Sequence, residues 1–269
     1  MKKFILTVIS VLILQNTALA NVVKFVQVAD SHYRTDNEYR QDVLKETVKS
    51  INNEKDISFV VFTGDNLDSP KSEFLPDFIK TINKLKVPYY IIIGNHDVYK
   101  NNGLSKERYY EIIKENNFLY KPLKPNYVFK KNGFVFIVTD GAKEIIPGTI
   151  GYYKTDTLNW LDKQLKKYKR SKVVILQHFP VVATKEINSH RVYNKEEYLQ
   201  MLDKHSNVIS VIAGHLHYNS EAMRNGVYHI TSPTLLSDPP VYKVISISTT
   251  KGFSPMVYTE LKKIEMPQK

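Results

Sequence analysis

Five short apolar runs in this chain each stop at residues able to bind a cation, and that recurrence limits the folds open to it. Phe25-Val26-Gln27-Val28-Ala29 stops at Asp30-Ser31-His32, and Phe59-Val60-Val61-Phe62-Thr63 stops at Gly64-Asp65. Tyr90-Ile91-Ile92-Ile93 stops at Gly94-Asn95-His96-Asp97, and Val173-Val174-Ile175-Leu176-Gln177 stops at His178. The last, Val208-Ile209-Ser210-Val211-Ile212-Ala213, stops at Gly214-His215-Leu216-His217. A run that is apolar at every position reads as a strand covered on both faces, the mark of a parallel sheet inside an α/β protein.

Helical patterns separate these strands. Val43, Leu44, Thr47, Val48 and Ile51 recur at helical spacing, and Phe74 to Leu85, Ser105 to Asn116, Thr155 to Tyr168 and Glu196 to Leu202 read the same way. Ser105 is a candidate N-cap. In the fourth of these helices Trp160, Leu161 and Leu165 form the expected buried side, and Lys163, Lys166, Lys167 and Lys169 a solvated basic face. Asn132-Gly133 and Asn225-Gly226, each between apolar stretches, signal tight hairpins. Val241 to Ser248 and Met256 to Leu261 are later strand candidates. Alternation of strand and helix followed by hairpins predicts an α/β chain with mixed sheets.

Ligands in open α/β sheets gather at the carboxyl ends of the strands. Five such ends would bring together five of the chain's eight histidines, with Asp30, Asp65, Asp97 and Asn95. Three of its ten glycines stand directly before Asp65, Asn95 and His215, where a missing Cβ lets backbone approach a ligand closely. Asp30 and His32, like His215 and His217, read as extended residues two apart. Their side chains would point the same way, with Cα atoms about 6.6 Å apart. A single zinc takes about four ligands, so seven candidates point to two cations sharing one carboxylate. Each short motif has a bland reading by itself: an aspartate at a strand end can be a helix N-cap, and Gly-Asn-His-Asp an Asx-turn. His190, His205 and His229 lack the strand-end context and read as surface or packing residues.

The chain has no cysteine, which excludes disulfides, thiolate metal sites and cysteine nucleophiles. Any cation must be held by oxygen and imidazole, which permits manganese, iron or zinc. The net charge of +11 raises the local concentration of anions, but no arginine-rich tract marks a nucleic-acid interface. Met1-Lys2-Lys3, an apolar stretch from Phe4 to Leu14 and Ala18-Leu19-Ala20 have the layout of a cleavable signal peptide over residues 1–20. The alternative is an uncleaved N-terminal anchor. The expectation is a single exported domain over 21–269, periplasmic or extracellular, with no further membrane-spanning stretch.

Taken together, Asp30-Ser31-His32, Gly64-Asp65-Asn66-Leu67-Asp68, Gly94-Asn95-His96-Asp97, His178 and Gly214-His215-Leu216-His217 resemble the blocks of the calcineurin-like metallophosphoesterase superfamily, all five in order. Within it the chain looks most like the cyclic-nucleotide-phosphodiesterase-like branch. The resemblance implies a four-layer α-β-β-α sandwich with two mixed sheets. It implies one metal on Asp30, His32, Asp65 and His217, and a second on Asp65, Asn95, His178 and His215, with Asp65 bridging. His96 would contact the phosphate or leaving group, Asp97 would orient His96, and Asp68 would support the ligands from behind. Asp68 stands where purple acid phosphatases carry a tyrosine ligand, so that branch is disfavoured. The implied activity is hydrolysis of a phosphodiester, or else a phosphomonoester, by a metal-bridging hydroxide, on a small phosphoester or nucleotide. The alternatives are a non-catalytic exported binding protein on the same fold and a metal scavenger.

Overall fold

The computed structural model describes residues 21–120 and 122–267, so the signal-peptide reading of residues 1–20 lies outside the described residues. In chain order the elements are β1 (Asn21–Val28), α1 (Glu38–Asn53), β2 (Val60–Thr63), α2 (Phe74–Ile82), β3 (Tyr89–Ile92), α3 (Lys106–Asn116), β4 (Tyr127–Lys131), β5 (Phe134–Val138), α4 (Thr155–Lys167), β6 (Lys172–Leu176), α5 (Lys195–Leu202), β7 (Val208–Ala213), β8 (Ser220–Arg224), β9 (Val227–Thr231), β10 (Val241–Thr249) and β11 (Met256–Lys263).

The strands form two sheets, one in the order β11-β10-β1-β2-β3 and the other β4-β5-β6-β7-β9-β8. Each is mixed. β1, β2 and β3 run parallel in the first, and β5, β6, β7 and β9 in the second, with antiparallel strands outside them. Alternate residues of the parallel strands face either the other sheet or a helix. Phe25, Phe59, Val61, Phe136, Val174 and Ile245 meet between the sheets. Phe25 stacks on Phe59 at 4.7 Å and meets Phe136 of the opposite sheet edge-on at 5.6 Å. The other faces pack against the helices: Val26, Val28 and Phe62 share a cluster with Val43, Leu44, Phe78 and Ile79. Helices outside two face-to-face sheets give the four layers expected.

Local signals act as their chemistry dictates. The buried stripe of α1 is Val43, Leu44, Thr47, Val48 and Ile51, and Ser105 caps α3 by accepting the Arg108 N–H at 3.2 Å. Asn132 and Gly133 have φ of 48° and 82°, and Asn225 and Gly226 49° and 76°, the left-handed pair that a two-residue hairpin needs. One expectation changes in α4. Leu158 is buried with Leu161 and Leu165, while Trp160 is only partly buried and packs at the cluster's edge. Among the described residues no helix is long and apolar enough to cross a membrane.

Candidate metal centre

The strand ends converge because the parallel cores of both sheets point their carboxyl ends the same way. Just past those ends the chain leaves extended geometry. Asp30, His32, Asp65, His215 and His217 have φ of 53°, 41°, 48°, 72° and 57°. The expectation of extended Asp-x-His and His-x-His pairs is therefore wrong in its backbone. A left-handed residue lets the chain reverse while the side chain still faces the centre, at a cost of about 1–2 kcal/mol each for a residue with a Cβ. Hydrogen bonds hold these turns. Asp30 N–H donates to Gly64 O at 3.2 Å, His32 N–H to Asp65 O at 2.9 Å, and Gly214 N–H to His178 O at 3.0 Å. The His215 N–H lies 3.0 Å from both oxygens of Asp30, which ties the two sheets together at the centre.

Two groups of potential ligands result, and Asp65 belongs to both. Ligand atoms of Asp30, His32, Asp65 and His217 lie within 4.8 Å of one another, as do those of Asp65, His178 and His215. Asn95 joins the second group, its Oδ1 3.1 Å from His178 Nε2. The seven residues singled out in the sequence are thus assembled in one place. His32 Nε2 and His217 Nε2 face each other at 3.1 Å, close to the roughly 3.3 Å edge of a tetrahedron with metal–nitrogen bonds of about 2.0–2.1 Å. Backbone carbonyls set the tautomers of the other two imidazoles. His178 Nδ1 contacts Thr63 O at 2.8 Å and His215 Nε2 contacts Thr149 O at 2.8 Å. A ring nitrogen facing a carbonyl carries the proton, so His178 Nε2 and His215 Nδ1 keep the free lone pairs. The donor set fits two divalent cations.

Electrostatics point the same way. Burial and neighbouring His178 push His215 down to about 2, which keeps it neutral, as a ligand must be. Burial pulls His178 down too, but Asp65 and Asp30 outweigh it and raise the ring to about 9. Burial resists ionisation of Asp65, yet His178 and His32 hold its carboxyl well below the usual range. A centre rich in carboxylate attracts positive charge, as a proton or as a cation.

Two glycines make room for this convergence. A Cβ on Gly94 would sit 2.1 Å from Asp65 Oδ1 and 2.2 Å from its backbone nitrogen, and one on Gly64 would sit 2.4 Å from His178 Nδ1. No side chain other than hydrogen fits at either position without moving a ligand.

Behind the ligands the arrangement differs from that implied by resemblance. Asp97 makes no hydrogen bond to His96. It is fully buried and accepts from Leu67 N at 2.9 Å, Gly94 N at 2.7 Å and Asn66 Nδ2 at 3.0 Å. It therefore clamps the loop after β2 to the loop after β3. Burial, then the charge of Asp65, pushes its carboxyl up to about 7. His96 is oriented instead by a main-chain oxygen: its Nδ1 lies 2.7 Å from Asp68 O, and its own N–H donates to Asp65 Oδ1 at 2.9 Å. The Asp68 carboxylate binds Arg40 and, at 3.4 Å, Arg34, and Arg40 reaches His32 O at 2.7 Å.

A model of the calcineurin-like phosphoesterases matches residues 23–219. The chain belongs to that family. It is a metal-dependent phosphoester hydrolase, and the candidate ligand residues fall inside the matched span. Over 218 residues it is 30% identical to a probable glycerophosphodiester phosphodiesterase from Arcobacter nitrofigilis, covering 77% of this chain and 76% of that one. It is 23% identical to a 3′,5′-cyclic-nucleotide phosphodiesterase from Nostoc over 197 residues, 72% and 67% of the two chains. A dimetal phosphatase from Danio rerio has a similar fold, with a TM-score of 0.67, 18% identity and coverage of 88% and 98%.

Three histidines stand outside the family's blocks. His205 Nε2 pairs with Asp162 of α4 at 2.8 Å, its ring largely buried. His229 is buried within β9, and among the described residues neither of its ring nitrogens has a partner. His190, expected as a surface or packing residue, packs beside the centre, its ring centroid 5.0 Å from that of His215. It sits in a short turn with no strand or periodic signal, so only the folded chain reveals its place. Thr149 was equally hidden, since it acts on His215 through its backbone oxygen.

Proposed function

We propose that this phosphoesterase is an exported phosphodiesterase whose centre holds two divalent cations, one on Asp30, His32, Asp65 and His217 and the other on Asp65, Asn95, His178 and His215. The observation that carries the reading is the double membership of Asp65, which makes one carboxylate common to both sets. Cations held there would neutralise phosphate oxygens and lower the pKa of water toward neutrality. The chain's own groups do the rest. Carbonyls of Thr63 and Thr149 fix which imidazole nitrogens face the centre. His96, held at Nδ1 by Asp68 O, leaves Nε2 as the nitrogen that, in the imidazolium form, can donate a proton to a departing oxygen. The preference for diesters is supported by the names of the two relatives above, and export by the amino-terminal layout.

Hydrolysis of bis(4-nitrophenyl) phosphate against 4-nitrophenyl phosphate tests the reading, with metal content measured alongside. Metal-loaded protein should prefer the diester, and Asp65→Asn should lose both metals and turnover. Full activity after metal stripping overturns it. Amino-terminal sequencing of the protein recovered from outside the cytoplasm should begin at Asn21, and a chain beginning at Met1 overturns cleavage.

A further inference from the structure

Two histidines outside the ligand set flank the centre, each beside a ligand from a different sheet. His96, in the loop after β3, packs edge-on against His32 with ring centroids 4.8 Å apart. His190, in the segment after β6, packs against His215 at 5.0 Å. His217 and Asp65 also lie within electrostatic reach of it. His190 therefore neighbours three of the candidate ligands.

Backbone bonds hold it there. The Thr149 hydroxyl donates to Ser189 O at 2.5 Å, and Thr149 O meets His215 Nε2 at 2.8 Å. One residue thus pins both the ligand His215 and the segment that carries His190. Gly151 N–H donates to Arg191 O at 3.0 Å and Tyr193 N–H to Gly151 O at 2.8 Å, so the two segments are zipped together on either side of that pin.

Both flanking rings are held at Nδ1. His96 Nδ1 lies 2.7 Å from Asp68 O, and His190 Nδ1 lies 2.9 Å from Ser189 Oγ. A hydroxyl can donate as well as accept. With Ser189 donating, a neutral His190 carries its proton on Nε2, which has no hydrogen-bond partner among the described residues. The ring then offers an N–H without a positive charge, which suits a group standing next to a site for cations.

A phosphodiester presents two anionic phosphoryl oxygens. Each keeps lone pairs beyond those that cations in the two ligand groups would engage. We propose that His190 binds the substrate directly, its Nε2–H donating to the phosphoryl oxygen on the His215 side, while His96 serves the departing oxygen from the His32 side. A lysine or arginine in its place would repel the cations, whereas a neutral imidazole adds a hydrogen bond to the anion at no such cost. The proposal rests on the two-cation reading above.

Two substitutions separate donation from packing. His190→Phe keeps a ring against His215 and loses the donor. His190→Gln loses the ring and keeps an N–H near the place of Nε2. Metal content, calorimetric titration of inorganic phosphate into the metal-loaded protein, and kcat/KM on bis(4-nitrophenyl) phosphate are measured for the native protein and both variants. All three proteins should hold both metals. His190→Phe should weaken phosphate binding and lower kcat/KM by about 10- to 100-fold each, the worth of one hydrogen bond to a charged group. His190→Gln should recover phosphate affinity to within about fivefold of native. Native phosphate affinity in His190→Phe, affinity in His190→Gln as weak as in His190→Phe, or loss of metal from His190→Phe overturns the proposal, the last by making the ring a packing support for His215. Native protein that holds both metals yet cleaves no diester overturns the diesterase reading instead, and the phosphate titration still decides for or against His190.

Discussion

Asp97→Asn separates a clamp from a catalytic partner. The carboxylate Oδ1 accepts one donor, Leu67 N at 2.9 Å, and Oδ2 accepts two, Gly94 N at 2.7 Å and Asn66 Nδ2 at 3.0 Å. An asparagine there has one oxygen. Aimed at Gly94 it satisfies two donors and turns its own NH2 toward the Leu67 N–H. An unmatched buried donor costs about 1–3 kcal/mol, and above about pH 7, where the native carboxyl is ionised, the remaining bonds also lose their charge assistance. The expected loss is about 2–4 kcal/mol. Urea unfolding of metal-loaded and metal-stripped protein measures it, provided the m-value is unchanged. The rate should fall together with metal occupancy, because the clamped loops carry Asp65 and Asn95. The clamp is refuted if Asp97→Asn keeps native stability within about 0.5 kcal/mol and a full metal complement, yet loses rate by more than about 100-fold. That result would return the carboxylate to the chemistry of His96.

Further outcomes follow from the geometry. Gly94→Ala places a methyl 2.1 Å from Asp65 Oδ1 and 2.2 Å from its backbone nitrogen. It should cost about 1–3 kcal/mol by overpacking and displace the shared ligand, seen as loss of bound metal by elemental analysis. His96→Ala should retain both metals and lose about 10²–10⁴ in kcat, so loss of metal instead would place His96 among the ligands. For His229, burial and then Arg224 push the pKa down to about 4, against about 6.5 in the unfolded chain. Between those values the unfolded chain takes up a proton that the folded chain refuses. Stability therefore falls as pH drops from 6.5 to 4, by on the order of 3 kcal/mol. His229→Phe should flatten that part of the stability curve measured by urea unfolding, and parallel native and variant curves would contradict it.

The strands, the hairpins and the seven candidate ligands were legible because each announces itself in side-chain chemistry. An all-apolar run such as Tyr90-Ile91-Ile92-Ile93 has to be covered on both faces, and Asn-Gly pairs have to turn. What escaped was written in the backbone or in distance. The left-handed φ of Asp30, His32, Asp65, His215 and His217 leaves no trace in residue type beyond Asp and His tolerating it. Asp68 orients His96 through its carbonyl and Thr149 fixes His215 the same way, so their side chains carry no message. Asp97 stands next to His96 in sequence, and adjacency invites a partnership that the turn geometry denies. Leu158 displaced Trp160 from the α4 core because a helix face is set by neighbours that its own periodicity does not reveal.

The pairing of His32 with His217, 185 residues apart, has a mechanical consequence. Asp30 and His32 leave one sheet and His217 leaves the other, so a cation gripped by all three would staple the two slabs of the sandwich to each other. This chain has no cysteine with which to make such a staple. Closing a loop that long with a covalent bridge is worth about 5 kcal/mol in chain entropy, and a tightly held ion restricts the unfolded chain in a similar way. The catalytic centre of this protein would then double as its reversible fastener, set by metal supply where a disulfide-linked protein relies on oxidation.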